Sequence, residues 1–111
     1  MSRFVSSAPI KRLALNLTLS ASNAEAIAAV TGKKIRVLAL DASIVTAAGV
    51  TVRSASDAIS GIRAFGANGQ WTLPFNEAGW FETARGEALN FIASTGTDLD
   101  GVILYQEVFD G

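Results

Sequence analysis

Residues 12–19, R-L-A-L-N-L-T-L, put Leu13, Leu15, Leu17 and Leu19 on one side and Arg12, Ala14, Asn16 and Thr18 on the other. A period of two is the alternation of a strand with one face buried and one in water. Residues 33–41, K-K-I-R-V-L-A-L-D, alternate through Ile35 and Val37 and then run continuously apolar, which predicts a strand covered on both faces. Shorter runs with β-branched or aromatic residues follow at 50–53, 70–75, 88–93 and 102–108, each with Gly, Asn, Asp or Ser close to its ends. Six or more strands at turn-like spacing predict an all-β protein, an antiparallel β-sandwich or jelly roll.

Residues 22–30, S-N-A-E-A-I-A-A-V, leave two readings open: a short helix behind a Ser or Asn cap, or a strand that enters the 33–41 run through Thr31 and Gly32. Asn68-Gly69 and Asp100-Gly101 are strong hairpin-turn signals, and Gly86 tolerates a positive φ. Pro74 cannot donate to a ladder, so the 70–75 strand ends there or lies at an edge. Residues 1–10 are weakly patterned, with Phe4, Val5 and Ile10 separated by Ser6, Ser7, Ala8 and Pro9. They read as an amino-terminal arm ahead of one domain spanning 11–111. Such an arm either frays or grips another subunit by pairing with an exposed strand edge.

Composition changes the picture at three points. The 111 residues are half apolar and only 17% charged, with a mean hydropathy of +0.35. A chain of this mass buries roughly two-thirds of its unfolded surface, so a core forms. The low charge then predicts further burial against partners, in an oligomer or assembly. There is no cysteine and no histidine, which removes disulfides, thiolate nucleophiles, His-based triads and the ordinary zinc site. Neither a signal-peptide pattern in the first nineteen residues nor a run of about 18 apolar residues is present, so a soluble protein with no membrane partner is expected. Charge is segregated: residues 1–56 carry seven bases and two acids (7 − 2 = +5), and residues 57–111 carry two bases and eight acids (2 − 8 = −6). The halves can pair across strands within one domain, or between copies or with an oppositely charged shell.

Candidate chemistry is thin. Glu77, Glu82 and Glu87 recur every five residues around Trp80-Phe81, but loop carboxylates are usually just solvated, and a chain this short rarely encloses a glycan cleft. Asp98-Leu99-Asp100-Gly101 resembles a fragment of a calcium loop without its later ligands, and a turn is the simpler reading. No glycine spacing forms a phosphate-binding fingerprint. The aromatics lie in the acidic half, away from the bases, so nucleic acid is a poor partner. No cofactor and no catalytic residue is assigned. Trp71, Phe75, Trp80 and Phe81 belong to the core of a sandwich, to a subunit interface, or to a sugar platform.

Two stretches carry a family resemblance: L-P-F-N-E-A-G-W-F-E-T-A-R-G-E-A-L-N at 73–90 and G-K-K-I-R-V-L-A-L at 32–40. They resemble small head decoration, or cement, proteins of tailed bacteriophages, over roughly residues 28–108, and Gly79-Trp80-Phe81-Glu82-Thr83 is the most specific part. The resemblance implies antiparallel sandwich or jelly-roll subunits that form homotrimers on the outer capsid surface of the virion and bind the major capsid protein without catalysis. It makes Trp71, Phe75, Trp80 and Phe81 candidates for core or trimer contacts. Arg3, Phe4, Val5, Ile10, Lys11 and Arg12 become candidates for the capsid-facing contact. The rival expectation is a tail or fibre jelly-roll module that binds a host glycan.

Overall fold

The computed structural model describes residues 8–109. Its strands, in chain order, are β1 Lys11–Leu19, β2 Ala24–Ile27, β3 Lys33–Ile44, β4 Ala48–Ser54, β5 Asp57–Ala58, β6 Arg63–Phe65, β7 Gly69–Leu73, β8 Phe81–Glu82, β9 Leu89–Ala93 and β10 Thr97–Phe109. Among the described residues there is no helix. One sheet is ordered β1-β10-β3-β7 with β8 also on β3, and the other β2-β9-β4-β5 with β6 also on β4. The first strand pairs with the last, the second with the last but one, β3 with β7 and β8, and β4 with β5 and β6, all antiparallel. This nesting is a long ribbon rolled over on itself, so that β10 also meets β3 and β9 also meets β4. It is the jelly-roll way of making a two-sheet sandwich.

The alternation along β1 holds: Leu15 and Leu19 are buried, Leu13 and Leu17 pack on the core, and Arg12, Ala14, Asn16 and Thr18 are exposed. Ile35, Val37, Leu40, Ile44, Leu99 and Ile103 from the first sheet meet Val50, Val52, Leu89 and Phe91 from the second. Trp71 stands between the layers, 2% exposed. Its ring lies 5.3 Å from Phe65, 6.0 Å edge-on from Phe91 and 6.4 Å edge-on from Phe81. Burying one such ring removes about 150–250 Å² from water, worth about 4–6 kcal/mol as an upper estimate.

Several expectations change against this frame. The 22–30 segment is a strand, β2, and reaches β3 through Gly32 at φ +77°. The apolar run after Val37 arises from a bulge, not from a strand covered equally on both faces. Ala39 pairs with Leu104 and Val37 with Tyr105, so Leu38 has no opposite number. The bulge switches which residues face inward, from Ile35 and Val37 to Leu40, Ala42 and Ile44, and leaves Leu38 buried outside the core cluster. Asn68, at φ +59°, does make a turn with Gly69, but β6 and β7 lie in different sheets, so it is a crossover and not a hairpin.

Asp100-Gly101 is not a turn at all. It lies inside β10, with Leu15 opposite Gly101 on one side and Ala42 on the other. The glycine is there for close approach: a Cβ at Gly101 would sit 2.1 Å from the Asp41 carbonyl oxygen.

Candidate interaction surface

A sandwich that fills its core presents two outer faces, and here they differ in kind. On the β2-β9-β4 sheet, the outward side chains of β4 and β9 include Thr51, Arg53 and Asn90. The Asn90 amide donates to the Ala55 carbonyl at 2.8 Å, and the Arg53 guanidinium donates to Asn23 Oδ1 at 3.3 Å. Thr51 and Asn90 are buried although they point away from the core. This face mixes these polar groups with Ile92, opposite Thr51, and with the exposed Ile62 beside Gly49.

The β1-β10-β3-β7 sheet carries a different pattern, fixed by register. Moving along β10, Asp98 stands beside Thr18, and Asp100 beside Asn16 and Ser43. Val102 follows beside Ala14 and Asp41, then Leu104 beside Arg12 and Ala39, and Gln106 beside Arg36. Asp98 and Asp100 therefore mark one end, Arg12 and Arg36 the other, and apolar side chains with Asp41 the middle. The middle is a shallow groove of about 330 Å³ lined by Ala39, Asp41, Thr72, Pro74, Phe75, Val102 and Leu104, among others. Phe75, 56% exposed, stands among its lining residues.

The segment that carries the family resemblance is used up by architecture. Between β7 and β8 the chain leaves the β3 edge and is tied back to the bulge: the Asn76 amide donates to the Leu38 carbonyl and the Trp80 amide to the Val37 carbonyl, at 2.9 and 2.7 Å. Asn76 Oδ1 accepts from the Ala78 amide, and Gly79 turns the chain at φ +89° against the Arg36 stem, where a Cβ would come within 2.6 Å of Arg36 Cγ. The Trp80 indole N–H donates to the Pro74 carbonyl at 2.8 Å, closing the loop. Glu82 lies 3.7 Å from Arg36, and Thr83 Oγ1 accepts from the buried Ile35 amide at 2.9 Å.

The predicted contact residues are dispersed by this geometry. Trp71 is inside the core and offers no surface to a partner, because its position on β7 alternates inward with Leu73. Phe81 is half-buried against the same cluster. Only Phe75 and Trp80, 40% exposed, remain available from that quartet. Arg3, Phe4 and Val5 lie outside the described residues. Ile10 is exposed. Lys11 belongs to β1, where its ammonium donates to Glu107 at 3.0 Å, and Arg12 lies on the outer face. The hydrogen bond to Glu107, reinforced by its charge, raises the Lys11 pKa above the ordinary lysine value. Ala8 accepts a hydrogen bond from the Gln106 amide at 2.8 Å.

Two of the three glutamates around Trp80 have partners. Glu82 faces Arg36, while Glu87 Oε1 accepts from Ser54 Oγ at 2.5 Å. Among the described residues no three His, Cys, Asp or Glu side chains are grouped to hold a metal ion. Ala39, Val102 and Leu104 were missed as surface residues. β10 begins at Thr97, so 98–104 alternates as one run, with acids and apolar residues on the same side. No protein-family model, curated protein or solved structure matches the chain.

Proposed function

We propose that the protein is a non-enzymatic assembly subunit, a decoration protein that attaches to the outside of a tailed-phage head and stabilises it. The observation that carries the reading is the outer face of the β1-β10-β3-β7 sheet: a mostly apolar groove with acids toward one end and bases toward the other. A subunit that works by contact needs such a surface and no reactive group. The resemblance of residues 73–90 and 32–40 to cement proteins supplies the shell as partner and three copies as the state on it. A modest interface suffices there, because many copies act together on one particle.

The test is the copy number on purified virions, by quantitative mass spectrometry. A ratio to the major capsid protein near one, or a simple fraction set by capsid symmetry, is expected. Absence from the particle, or a handful of copies per virion as for a tail component, overturns the reading. The glycan-binding rival draws on Phe75 and Trp80, whose rings are open beside the groove. Reproducible sugar binding on an array, lost in Trp80→Ala, would favour it.

A further inference from the structure

We propose that the outer face of the β1-β10-β3-β7 sheet is a self-complementary contact that joins two copies of this chain about a twofold axis. The argument starts from charge. Asp98 and Asp100 on β10 stand toward one end, Asp41 on β3 is level with Val102 in the middle, and Arg12 on β1, with Lys34 and Arg36 on β3, stands toward the other. Lys34 falls on this face by alternation beside Val108, and Arg36 beside Gln106 and close to Glu82.

A twofold axis relating two stacked sheets lies in the plane between them, either along the strands or across them. The axis along the strands sets bases on bases and acids on acids. The axis across the strands reverses one copy end for end and sets each basic end over an acidic one. Only the second is electrostatically favourable, and it brings Val102, Leu104, Ala39 and Phe75 of the two copies together in the middle.

Size agrees. Three strands over about 30 Å and the five-residue β7 over about 17 Å, at about 4.8 Å spacing, give roughly 510 Å² per copy and roughly 1,000 Å² in total, at the ~1,000 Å² that a specific contact needs. Sheets packed this way sit about 10 Å apart with their strands near −30°, which the apolar middle can fill with Val102 and Leu104 side chains. The inference goes beyond the decoration reading, since copies around a threefold axis cannot share an isologous face. The contact belongs to the free protein, because one face cannot meet the shell and a second copy at once.

Light scattering coupled to size exclusion, on the purified protein with no phage component present, tests it separately from head attachment. The expected species has a mass that is an even multiple of 11.6 kDa. Leu104→Lys halves that mass at the same concentration with an unchanged circular-dichroism spectrum. Arg12→Glu and Asp100→Lys each weaken self-association about tenfold, and the double variant recovers it, because the complementarity is inverted rather than lost. An odd multiple, including a monomer or an isolated trimer, overturns the proposal. So does a folded Leu104→Lys that keeps the wild-type mass, or a double variant no stronger than the weaker single one.

Discussion

Replacing Gly101 by alanine probes the pairing at the centre of the jelly roll. Gly101 lies where β10 passes between Leu15 of β1 and Ala42 of β3. An added Cβ would stand 2.1 Å from the Asp41 carbonyl oxygen, 2.5 Å from Ala42 Cα and 2.9 Å from Ala42 Cβ. Carbon contacts settle at about 3.5–4.0 Å, so β10 must retreat from β3 by more than about 1 Å. On its far side it is held by the continuous register from Lys11 opposite Tyr105 to Leu19 opposite Thr97. In an open strand the same substitution gains about 0.5–1 kcal/mol, because alanine surrenders less backbone freedom. Overpacking costs about 1–3 kcal/mol, and here the obstruction is mostly backbone, which cannot rotate away, so the clash wins by about 2 kcal/mol. With an unfolding entropy of roughly 0.23 kcal/mol/K for a chain of this length, that lowers Tm by about 9 °C. Thermal unfolding followed by circular dichroism, at one protein concentration so that self-association contributes equally, measures the change. Gly61→Ala is the control, since its Cβ meets nothing within 4 Å. A Gly101→Ala protein that melts at or above the wild type refutes the reasoning.

Other substitutions test other contacts. Thr83→Val keeps the shape but leaves the buried Ile35 amide without its hydroxyl acceptor, and denaturant unfolding is expected to register a loss of about 1–3 kcal/mol. Trp71→Ala empties the space between the sheets and costs about 3–5 kcal/mol. In Trp80→Phe the remaining indole, Trp71, should emit at short wavelength and resist acrylamide; ready quenching would contradict its burial. For Lys11 the folded pKa is raised by Glu107, so its contribution is complete below the ordinary lysine value and disappears as pH rises through the folded value. Lys11→Met should therefore flatten the alkaline limb of the stability profile, and an unchanged limb would remove Glu107 as its cause.

Much of the fold was legible because strand alternation is a local signal. β1 could be read from four leucines, and the all-β class from the recurrence of such runs. What was not legible depended on pairing. Asp100-Gly101 has the composition of a turn, yet its glycine answers to the β3 backbone across the sheet, which no local window contains. The apolar run from Val37 looks like a doubly covered strand, but the cause is one unpaired residue, Leu38, visible only against the register of β10. The aromatic quartet clusters in sequence and divides in space. Trp71 points inward from β7, while Phe75 and Trp80 lie in the loop that follows.

The charge layout of the outer face follows from the topology. Rolling a ribbon so that its first strand meets its last brings the basic half of the chain against the acidic half. Lys11 with Glu107 and Arg36 with Glu82 draw off part of that complementarity inside one molecule. The strands are antiparallel, however, so the bases at the start of β1 stand beside the end of β10, and the acids at the start of β10 stand beside Asn16 and Thr18, which carry no charge. The surplus is thereby spread to opposite ends of one face and not neutralised between neighbouring strands. Salt separates the two contributions to any contact made there. Rim charges are screened over about 10 Å at 0.1 M, whereas the middle contributed by Val102 and Leu104 is apolar and indifferent to ionic strength. Self-association should thus weaken between low and moderate salt and then level off, and a loss that continues steadily into molar salt would mean that charge alone holds the copies together.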